Sequence, residues 1–224
     1  MKYFSIAIDG PSGAGKSTIA KLVANELGFT YIDTGAMYRA VTYKAMMLNI
    51  PLGDEDAYSF LDNLEISFSK DKVFIDGEDV TEPIRSIEVT KNVSLVSSLL
   101  TIRQKLVDMQ RKMAEGTNVV MDGRDIGTNV LPNADLKIYL NASLEERAKR
   151  RYIDLLEKNA GASYEFIYND LARRDDYDSH RKYNPLTKAD DALEIDSSKM
   201  TIFEVLEKII ALYKEFYKNE RNRC

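Results

Sequence analysis

Cysteine and histidine are nearly absent from this chain of 224 residues: Cys224 is the only cysteine and His180 the only histidine. A single cysteine excludes a disulfide framework within the chain and favours a reducing compartment, so we expect a cytoplasmic protein. Cys224 occupies the last position, where we expect an exposed thiol without a function.

Long hydrophobic runs and an excess of basic residues are also missing. No apolar stretch approaches the length that spans a bilayer, and the first residues lead into a strand-like segment rather than a signal peptide. A formal net charge of -5 argues against a broad basic face for nucleic acid. We therefore expect no membrane and no nucleic-acid partner. The absence of a long exposed apolar stripe favours a monomer.

Strand-like and helix-like segments alternate along most of the chain. The strand-like runs are "YFSIAID", "FTYID", "TNVVMD" and "LKIYL", and helical periodicity follows in segments such as "KSTIAKLVANEL" and "TIRQKLVDMQRKMAEG". Gly28 and Gly116 are placed to end helices, and Ser143 with Glu146 forms a capping-box pattern. This alternation predicts an α/β protein with a parallel sheet covered by helices.

Residues 64–85 interrupt the alternation. Short alternating segments are separated there by "KD" and by the turn dipeptide Asp76-Gly77, which is typical of a small antiparallel sheet. We expect an insertion over residues 62–85 in a core formed by residues 1–61 and 86–224.

The segment "DGPSGAGKST", residues 9 to 18, follows the first predicted strand and opens the first predicted helix. Gly10, Gly15, Lys16 and Ser17 fit the pattern G-x-x-x-x-G-K-[ST], in which backbone N–H groups cradle phosphate oxygens. The lysine supplies charge to the outer phosphates and the serine hydroxyl is placed for Mg²⁺. The predicted ATP-binding residues of this loop are Gly10, Pro11, Ser12, Gly13, Ala14, Gly15, Lys16, Ser17 and Thr18.

A phosphate loop leaves several classes of nucleotide-binding protein open. The chain lacks the N-K-x-D of a switch GTPase and the L-S-G-G-Q-like stretch of a transport ATPase. It carries many arginines near predicted strand ends and loops, and arginine binds phosphate through a planar fork of donors. Such forks suit phosphoryl transfer between two phosphorylated ligands.

Four segments in this order resemble the bacterial cytidylate kinases, of the nucleoside monophosphate kinase family: "DGPSGAGKST", "YIDTGAMYRA", "MDGRDIGT" and "RRDDYDSHRKYNPL". The resemblance covers essentially the whole chain, including the small inserted sheet. It implies a P-loop NTPase-type parallel five-stranded sheet flanked by helices, a small antiparallel β insertion in the nucleoside monophosphate-binding region and a short helical lid near residues 147–165. The implied reaction transfers the γ-phosphoryl group of ATP to CMP or dCMP with Mg²⁺, giving ADP and CDP or dCDP.

The resemblance also implies roles for individual residues. Arg39 and Arg124 would contact the acceptor phosphate, Asp125 and Arg103 the cytosine with help from Ser94, and Arg174 and Asp178 the sugar. The implied CMP-binding set is Thr34, Arg39, Ser94, Arg103, Arg124, Asp125, Arg174, Asp178 and Arg181. The implied catalytic set is Lys16, Arg124, Arg147 and Arg174, with Arg151 added to the ATP site.

Plainer interpretations of these residues remain open. Thr34 could only cap a helix, Arg124 and Asp125 could form a surface pair, and Arg147 and Arg151 could belong to a solvated basic face. Asp122 ends a buried strand beside the phosphate loop, where an acid steers Mg²⁺ through water, although it could also be a turn residue. Asp33, at another strand end, is a further candidate for the metal.

Other details separate this chain from the family pattern. Ser17 stands where some relatives carry glycine, and Tyr177 replaces an expected basic residue. His180 is expected at the surface, since the CMP phosphate is already an anionic nucleophile and needs no general base.

The rival hypotheses are a related kinase of UMP, shikimate or another small acceptor, and a regulatory ATP-binding module without transfer.

Overall fold

The computed structural model of the protein describes residues 3–69, 71–157 and 161–221. The chain divides into two compact units. Unit 1 comprises Met1–Tyr31, Gly116–His180 and Asn184–Cys224, and unit 2 comprises Ile32–Glu115 and Arg181–Tyr183. Cys224 and residues 158–160 of the expected lid lie outside the described residues.

Strands and helices alternate as the sequence predicts. The strands are β1 (Ser5–Asp9), β2 (Thr30–Asp33), β3 (Ile66–Ser69), β4 (Lys72–Ile75), β5 (Glu78–Asp79), β6 (Val119–Gly123), β7 (Leu136–Asn141) and β8 (Leu193–Asp196). The α-helices are α1 (Lys16–Leu27), α2 (Thr34–Met47), α3 (Ile87–Val96), α4 (Leu100–Ala114), α5 (Leu144–Glu157), α6 (Tyr164–His180) and α7 (Ile202–Arg221). Short 3-10 helices occupy Glu55–Ala57, Ser59–Asn63 and Pro83–Arg85, and a π-helical turn spans Ile126–Val130.

The central sheet has five strands in the order β2-β6-β1-β7-β8. Strand β1 is parallel to both β6 and β7, and its register pairs Ile8 with Asp122 and Asp9 with Gly123. Because parallel strands end at the same edge, the loops after β1 and β6 emerge side by side, and ligands of open α/β sheets bind at that edge. The predicted fold class, a five-stranded parallel sheet flanked by helices, is confirmed.

The core of unit 1 forms where α1 and α7 cover the sheet. Its buried members include Ile6 and Ile8 on β1, Ile138 on β7, Val23 on α1 and Ile209 on α7. The runs of consecutive buried residues in β1 and β6 explain their continuous hydrophobic sequence, as expected for strands covered on both faces. This core fixes the strand whose last residue leads into the phosphate loop.

The predicted helix ends are mostly found where the sequence places them. Gly28 adopts a left-handed conformation (φ 66°) at the end of α1, and Gly116 (φ 72°) follows α4. Before α5, the Glu146 N–H donates to Ser143 Oγ at 3.3 Å. The Ser143 N–H donates to Ser198 Oγ at 2.8 Å, so the bond that a capping box would assign to Glu146 is made with Ser198 instead.

A second, antiparallel sheet has the order β3-β4-β5 and belongs to unit 2. Its β4–β5 turn consists of Asp76 (φ 51°) and Gly77 (φ 83°), which confirms the predicted turn dipeptide. Asp76 also accepts the Glu65 N–H at 3.0 Å, so its carboxylate ties the turn to the start of β3. Unit 2 is larger than the predicted insertion over 62–85, whose boundaries stay a prediction.

The helices of the described part of the chain include none that is both long and apolar enough to cross a membrane.

Candidate active site

The phosphate loop closes tightly between β1 and α1. Gly10 has φ 150°, and a Cβ atom at this position would lie 2.0 Å from the carbonyl oxygen of Leu140 on β7. Gly15 has φ 87° at the N-terminus of α1, a conformation that L-residues with side chains rarely adopt. Gly10 is therefore required by the close approach of Leu140, and Gly15 by its backbone conformation. These two requirements explain the two glycine positions of the motif.

Lys16 is buried in this loop with 5% of its surface exposed. Its Nζ donates to the Pro11 carbonyl oxygen at 2.7 Å. Burial, followed by the positive charge of Arg124, lowers the pKa of Lys16 to about 7, although Asp122, Asp9 and Asp178 act in the opposite direction. The loop thus holds its lysine in a low-dielectric site where added negative charge would favour the protonated form.

Asp122 lies at the end of β6 beside the first residues of α1. Its Oδ2 accepts from Ser17 Oγ at 2.8 Å, and its Oδ1 accepts from the Tyr31 hydroxyl at 2.9 Å. The structure therefore brings the predicted metal residues Ser17 and Asp122 together. Tyr31 was not identified from the sequence, because nothing in "FTYID" distinguishes a tyrosine of a strand from one that binds an acid on the neighbouring strand.

The Ser17 and Asp122 pair fits Mg²⁺ chemically. A hydroxyl and a carboxylate supply hard oxygen atoms, and Mg²⁺ in nucleotide sites takes few protein ligands beside phosphates and water. No group of three or more His, Cys, Asp or Glu side chains suited to a metal occurs among the residues that the structure describes.

Asp9, the last residue of β1, is a further site residue that the sequence did not reveal. Its carboxylate accepts the N–H of Ile126 at 2.8 Å and that of Gly127 at 2.7 Å. Burial raises the pKa of Asp9 to about 6, and these two hydrogen bonds oppose that shift. Asp9 thereby joins the strand before the phosphate loop to the turn that follows Asp125.

Asp125 precedes the Ile126–Val130 turn and is 5% exposed. Its Oδ2 accepts from the Asn129 amide Nδ2 at 2.9 Å, and its carbonyl accepts the N–H groups of Asn129 and Val130. A surface pair with Arg124 is therefore the wrong interpretation of its environment, because Asp125 is buried. Asn129 was also missed, although its spacing from Asp125 is a local signal.

Arg124 and Asp178, both predicted to bind the acceptor, are joined by a hydrogen-bonded ion pair of 2.8 Å between Nε and Oδ2. Burial acts to lower the pKa of Arg124, but the pKa is raised, because the charge and hydrogen bond of Asp178 act in the opposite direction together with the charges of Asp175 and Asp122. The Asp178 carbonyl also accepts the Leu186 N–H at 2.8 Å, which holds the chain after α6. Their roles toward CMP stay predictions.

Arg147 is buried rather than part of a solvated face. Its Nη1 donates to the Ser12 carbonyl at 2.8 Å and pairs with Asp175, while Nε donates to Ala142 O at 2.9 Å. The Asp175 carboxylate also accepts the Ser12 N–H at 3.0 Å. Arg147 and Asp175 therefore hold the backbone carbonyl and the backbone N–H of Ser12 in the phosphate loop. Asp175 is another residue that the sequence did not identify.

The other basic residues of α5 and α6 differ in their surroundings. Arg150 donates to Ser197 Oγ and O, whereas Arg151 is exposed and makes no hydrogen bond or ion pair within residues 3–69, 71–157 and 161–221. Arg174 is half-buried on α6. Leu144, Ala148, Tyr152 and Leu155 form the inner side of α5 and pack against Ile167 and Leu171 of α6.

Unit 2 carries the remaining predicted acceptor residues. Asp33 is the N-cap of α2: Oδ1 accepts the Ala36 N–H at 2.7 Å and Oδ2 accepts from Arg39 Nη2 at 3.1 Å. The interpretation of Thr34 as the cap is therefore wrong, since Thr34 is the first residue within the helix. Arg39 keeps its Nε buried without a hydrogen bond in the described part of the chain.

Arg103 is almost fully buried on α4, with 1% of its surface exposed. Its Nη1 donates to the Ser97 carbonyl at 3.0 Å, and its Cζ lies 5.6 Å from the centre of the Tyr38 ring. Glu55 fixes the start of this helix by accepting the N–H groups of Leu100 and Thr101 at 3.2 and 3.0 Å. Ser94 and Arg181 are buried as well.

A cleft of about 250 Å³ in unit 2 is lined by residues that include Glu55, Tyr58, Asp62 and Lys105. It contains none of the predicted site residues, and two of its charged side chains, Asp62 and Lys105, pair with each other at 2.7 Å.

Comparison with known proteins gives one consistent family. The model described as "Cytidylate kinase" matches residues 6–215. The cytidylate kinase of Halalkalibacterium halodurans is 53% identical over 96% of this chain and 99% of that protein. Those of Alkaliphilus oremlandii and Bacillus subtilis are 51% and 50% identical, covering 96% and 93% of this chain and 99% and 96% of those proteins.

Solved structures support the fold. A gluconokinase from Sinorhizobium meliloti shares a TM-score of 0.50 at 14% identity, covering 98% of this chain and 97% of that chain. An uncharacterized protein from Eubacterium ventriosum gives a TM-score of 0.52 at 14% identity, over 96% and 99% of the two chains. At such low identity these likenesses concern the fold alone.

Proposed function

The chain belongs to the cytidylate kinase family, and from that premise we propose that it transfers the γ-phosphoryl group of ATP to CMP or dCMP, giving ADP and CDP or dCDP. The observation that carries the assignment to this site is the buried Lys16 in a closed phosphate loop, next to the Ser17–Asp122 pair. A related kinase of shikimate or another small acceptor, and an ATP-binding module without transfer, are disfavoured by the family match over residues 6–215.

The phosphate loop binds the donor. In ATP binding, the backbone N–H groups of the loop and the N-terminus of α1 would face the phosphates, and Lys16 would exchange its Pro11 contact for a phosphate oxygen. The nucleotide charge would keep Lys16 protonated, which is the form that stabilises the growing charge on the transferring group. Mg²⁺, held by Ser17 and steered by Asp122 through water, would neutralise charge on the outer phosphates.

The acceptor phosphate of CMP needs no general base, because its oxygen is already anionic. Asp178 holds the Arg124 guanidinium by its Nε, and Nη1 donates to the Gly123 carbonyl at 3.4 Å. Nη2 therefore keeps its donors for the acceptor phosphate. Arg39, held by Asp33 in unit 2, is proposed for the same phosphate. Catalysis on this account rests on positioning and charge neutralisation rather than on covalent chemistry.

The other assignments of acceptor residues are part of the proposal. Arg103 and Ser94 are proposed for the base with Asp125, Arg174 and Asp178 for the sugar, and Arg181 for the acceptor phosphate or the base. Thr34 is proposed as a further CMP-binding residue. Arg147 is proposed to act on the donor phosphates through the Ser12 peptide that it holds, and Arg151 by direct contact. Asp33, whose carboxylate contacts the start of α2 and Arg39, is proposed as a further residue for the metal.

Localisation and assembly are proposals on general grounds. We propose a protein that acts in the cytoplasm without a nucleic-acid partner, because the chain has a net charge of -5 and a single cysteine. We propose a monomer because the sequence shows no long exposed apolar stripe. Light scattering coupled to size exclusion would test the monomer: a mass near twice 25.5 kDa would contradict it.

A coupled assay of ADP release tests the function. Purified protein is given MgATP with CMP, dCMP, UMP, AMP or shikimate in parallel, each at the same concentration. We expect turnover with CMP or dCMP that exceeds that with every other acceptor. Preferential turnover of UMP or shikimate would support a related kinase, and ATP binding without turnover of any acceptor would support the regulatory module.

A further inference from the structure

Asp122 is held at both carboxylate oxygens by hydroxyl groups from two different elements. Ser17 of α1 donates to Oδ2 at 2.8 Å and Tyr31 of β2 donates to Oδ1 at 2.9 Å. We propose that Tyr31 is a positioning residue for the divalent cation: its hydroxyl fixes the rotation of Asp122, and Asp122 fixes the hydroxyl of Ser17 toward the cation. This inference rests on the proposed use of MgATP.

The side chains of Tyr31 and Asp122 are both held by their surroundings. The Tyr31 side chain packs against the core of unit 1, so the position of its hydroxyl is set by packing on the sheet. Asp122 sits on β6, next to β2 in the sheet order, and only 3% of its surface is exposed. A carboxylate buried in this way can rotate about its last bond unless donors hold it, and two donors on different oxygens remove that freedom.

The direction of the hydrogen bonds matters for the metal. When Ser17 donates its hydroxyl proton to Asp122, the lone pairs of Oγ remain for a cation. The Tyr31 hydroxyl donates to Oδ1 of the same carboxylate and so sets the orientation that Asp122 presents to a water molecule bound to that cation. Partners outside the ligand shell set the orientation of metal ligands in this manner, and removing them costs metal affinity.

Replacement of Tyr31 by phenylalanine tests the proposal, because it removes the hydroxyl and keeps the ring in the core. Tyr213→Phe is the matched control: Tyr213 packs against the same core, and its hydroxyl makes no hydrogen bond within the described residues. The main readout is binding of Mn²⁺ to the complex of the protein with ADP, followed by electron paramagnetic resonance. Metal-free ADP binding is measured by calorimetry for each variant.

We expect Tyr31→Phe to weaken Mn²⁺ binding roughly tenfold, as for other partners of metal ligands, while metal-free ADP affinity stays within about twofold of the parent and Tyr213→Phe changes neither. Ser17→Ala, which removes the hydroxyl next to the metal, should weaken Mn²⁺ binding at least as much. Unchanged Mn²⁺ binding in Tyr31→Phe would overturn the proposal. An equal loss of metal-free ADP binding would overturn it too, because Tyr31 would then serve the fold alone.

The readout is independent of the acceptor. A parent protein that binds Mn²⁺ with ADP but does not phosphorylate CMP would contradict the proposed function while the comparison between Tyr31→Phe and Tyr213→Phe still decided the role of Tyr31. In the kinase assay, Tyr31→Phe should require about tenfold more Mg²⁺ for half-maximal rate, with the KM for CMP unchanged.

Discussion

The ammonium group of Lys16 donates to the carbonyl oxygen of Pro11 at 2.7 Å, across the phosphate loop to which both residues belong. The lysine is therefore folded into its own loop, buried and with its pKa lowered to about 7. The position of Lys16 can therefore be tested by two measurements, the rate of phosphoryl transfer and the number of protons taken up when the nucleotide binds.

Lys16→Ala should reduce kcat by roughly a hundredfold or more, because it removes a preorganised charge from the transferring phosphoryl group. The secondary structure should survive, and circular dichroism checks it. Lys208→Ala, at an exposed position on α7, is the control and should retain the parental rate. Near-parental turnover of CMP by Lys16→Ala would exclude this loop as the site of transfer.

Binding of ATP at pH 8 should be accompanied by proton uptake at Lys16. With a pKa of about 7, the free protein holds Lys16 mostly neutral at that pH, and the added phosphate charge raises the pKa so that a proton binds. Asp9, whose pKa is about 6, is already ionised at pH 8 and adds nothing. Calorimetry in buffers of different ionisation enthalpy measures the uptake.

The matched variant for this measurement is Lys16→Arg, whose guanidinium stays protonated throughout. It should show a smaller uptake than the parent at pH 8, and the difference should disappear at pH 6, where both side chains are charged. Equal uptake by the parent and Lys16→Arg at pH 8 would mean that Lys16 is already protonated in the free protein. The lowered pKa of Lys16 also contributes a free energy of unfolding that rises with pH between about 7 and 10.5. In that range the unfolded chain keeps the Lys16 proton, whereas the folded protein has lost it.

Asp175→Asn should lower the free energy of unfolding by roughly 2–4 kcal/mol, since it leaves Arg147 buried without its charged partner. The Arg147 side chain is 7% exposed and that of Asp175 19%. Asp176→Asn changes the adjacent acid, which is 77% exposed, and should stay within about 0.5 kcal/mol of the parent. Urea unfolding followed by circular dichroism measures the free energy of unfolding of both variants. Similar decreases in the two would contradict a stabilising role for the contacts of Arg147 and Asp175 with Ser12.

Asp125→Ala should reduce kcat/KM for CMP far more than for UMP, by roughly 1–3 kcal/mol of lost discrimination. A carboxylate accepts from the cytosine amine and repels the uracil carbonyl. The control Asp190→Ala alters an exposed acid and should leave the CMP to UMP ratio unchanged. Equal decreases in kcat/KM for CMP and UMP in Asp125→Ala would mean that Asp125 only stabilises the turn through its hydrogen bond with Asn129.

The local part of this protein could be predicted from its sequence. The phosphate loop is a continuous segment whose glycines are needed by backbone geometry, so Gly10 and Gly15 with Lys16 and Ser17 identify it directly. The alternation of strands and helices, the left-handed Gly28 and the Asp76-Gly77 turn are likewise set by residues within a few positions of one another. Short-range hydrogen bonds depend on residues of the same short segment, and the sequence shows these residues side by side.

Contacts between distant segments were decided only by the tertiary structure. Tyr31 and Asp122 are 91 positions apart, Ser12 and Asp175 are 163 apart, and Asp9 and Gly127 are 118 apart. Each pairing depends on the register of the sheet or on the packing of α6, and no residue type in either segment specifies its partner. The burial of Arg147 was likewise decided by the tertiary structure. Helical periodicity shows which positions share a face of α5, but it does not show which polar side chain lies under a neighbouring loop.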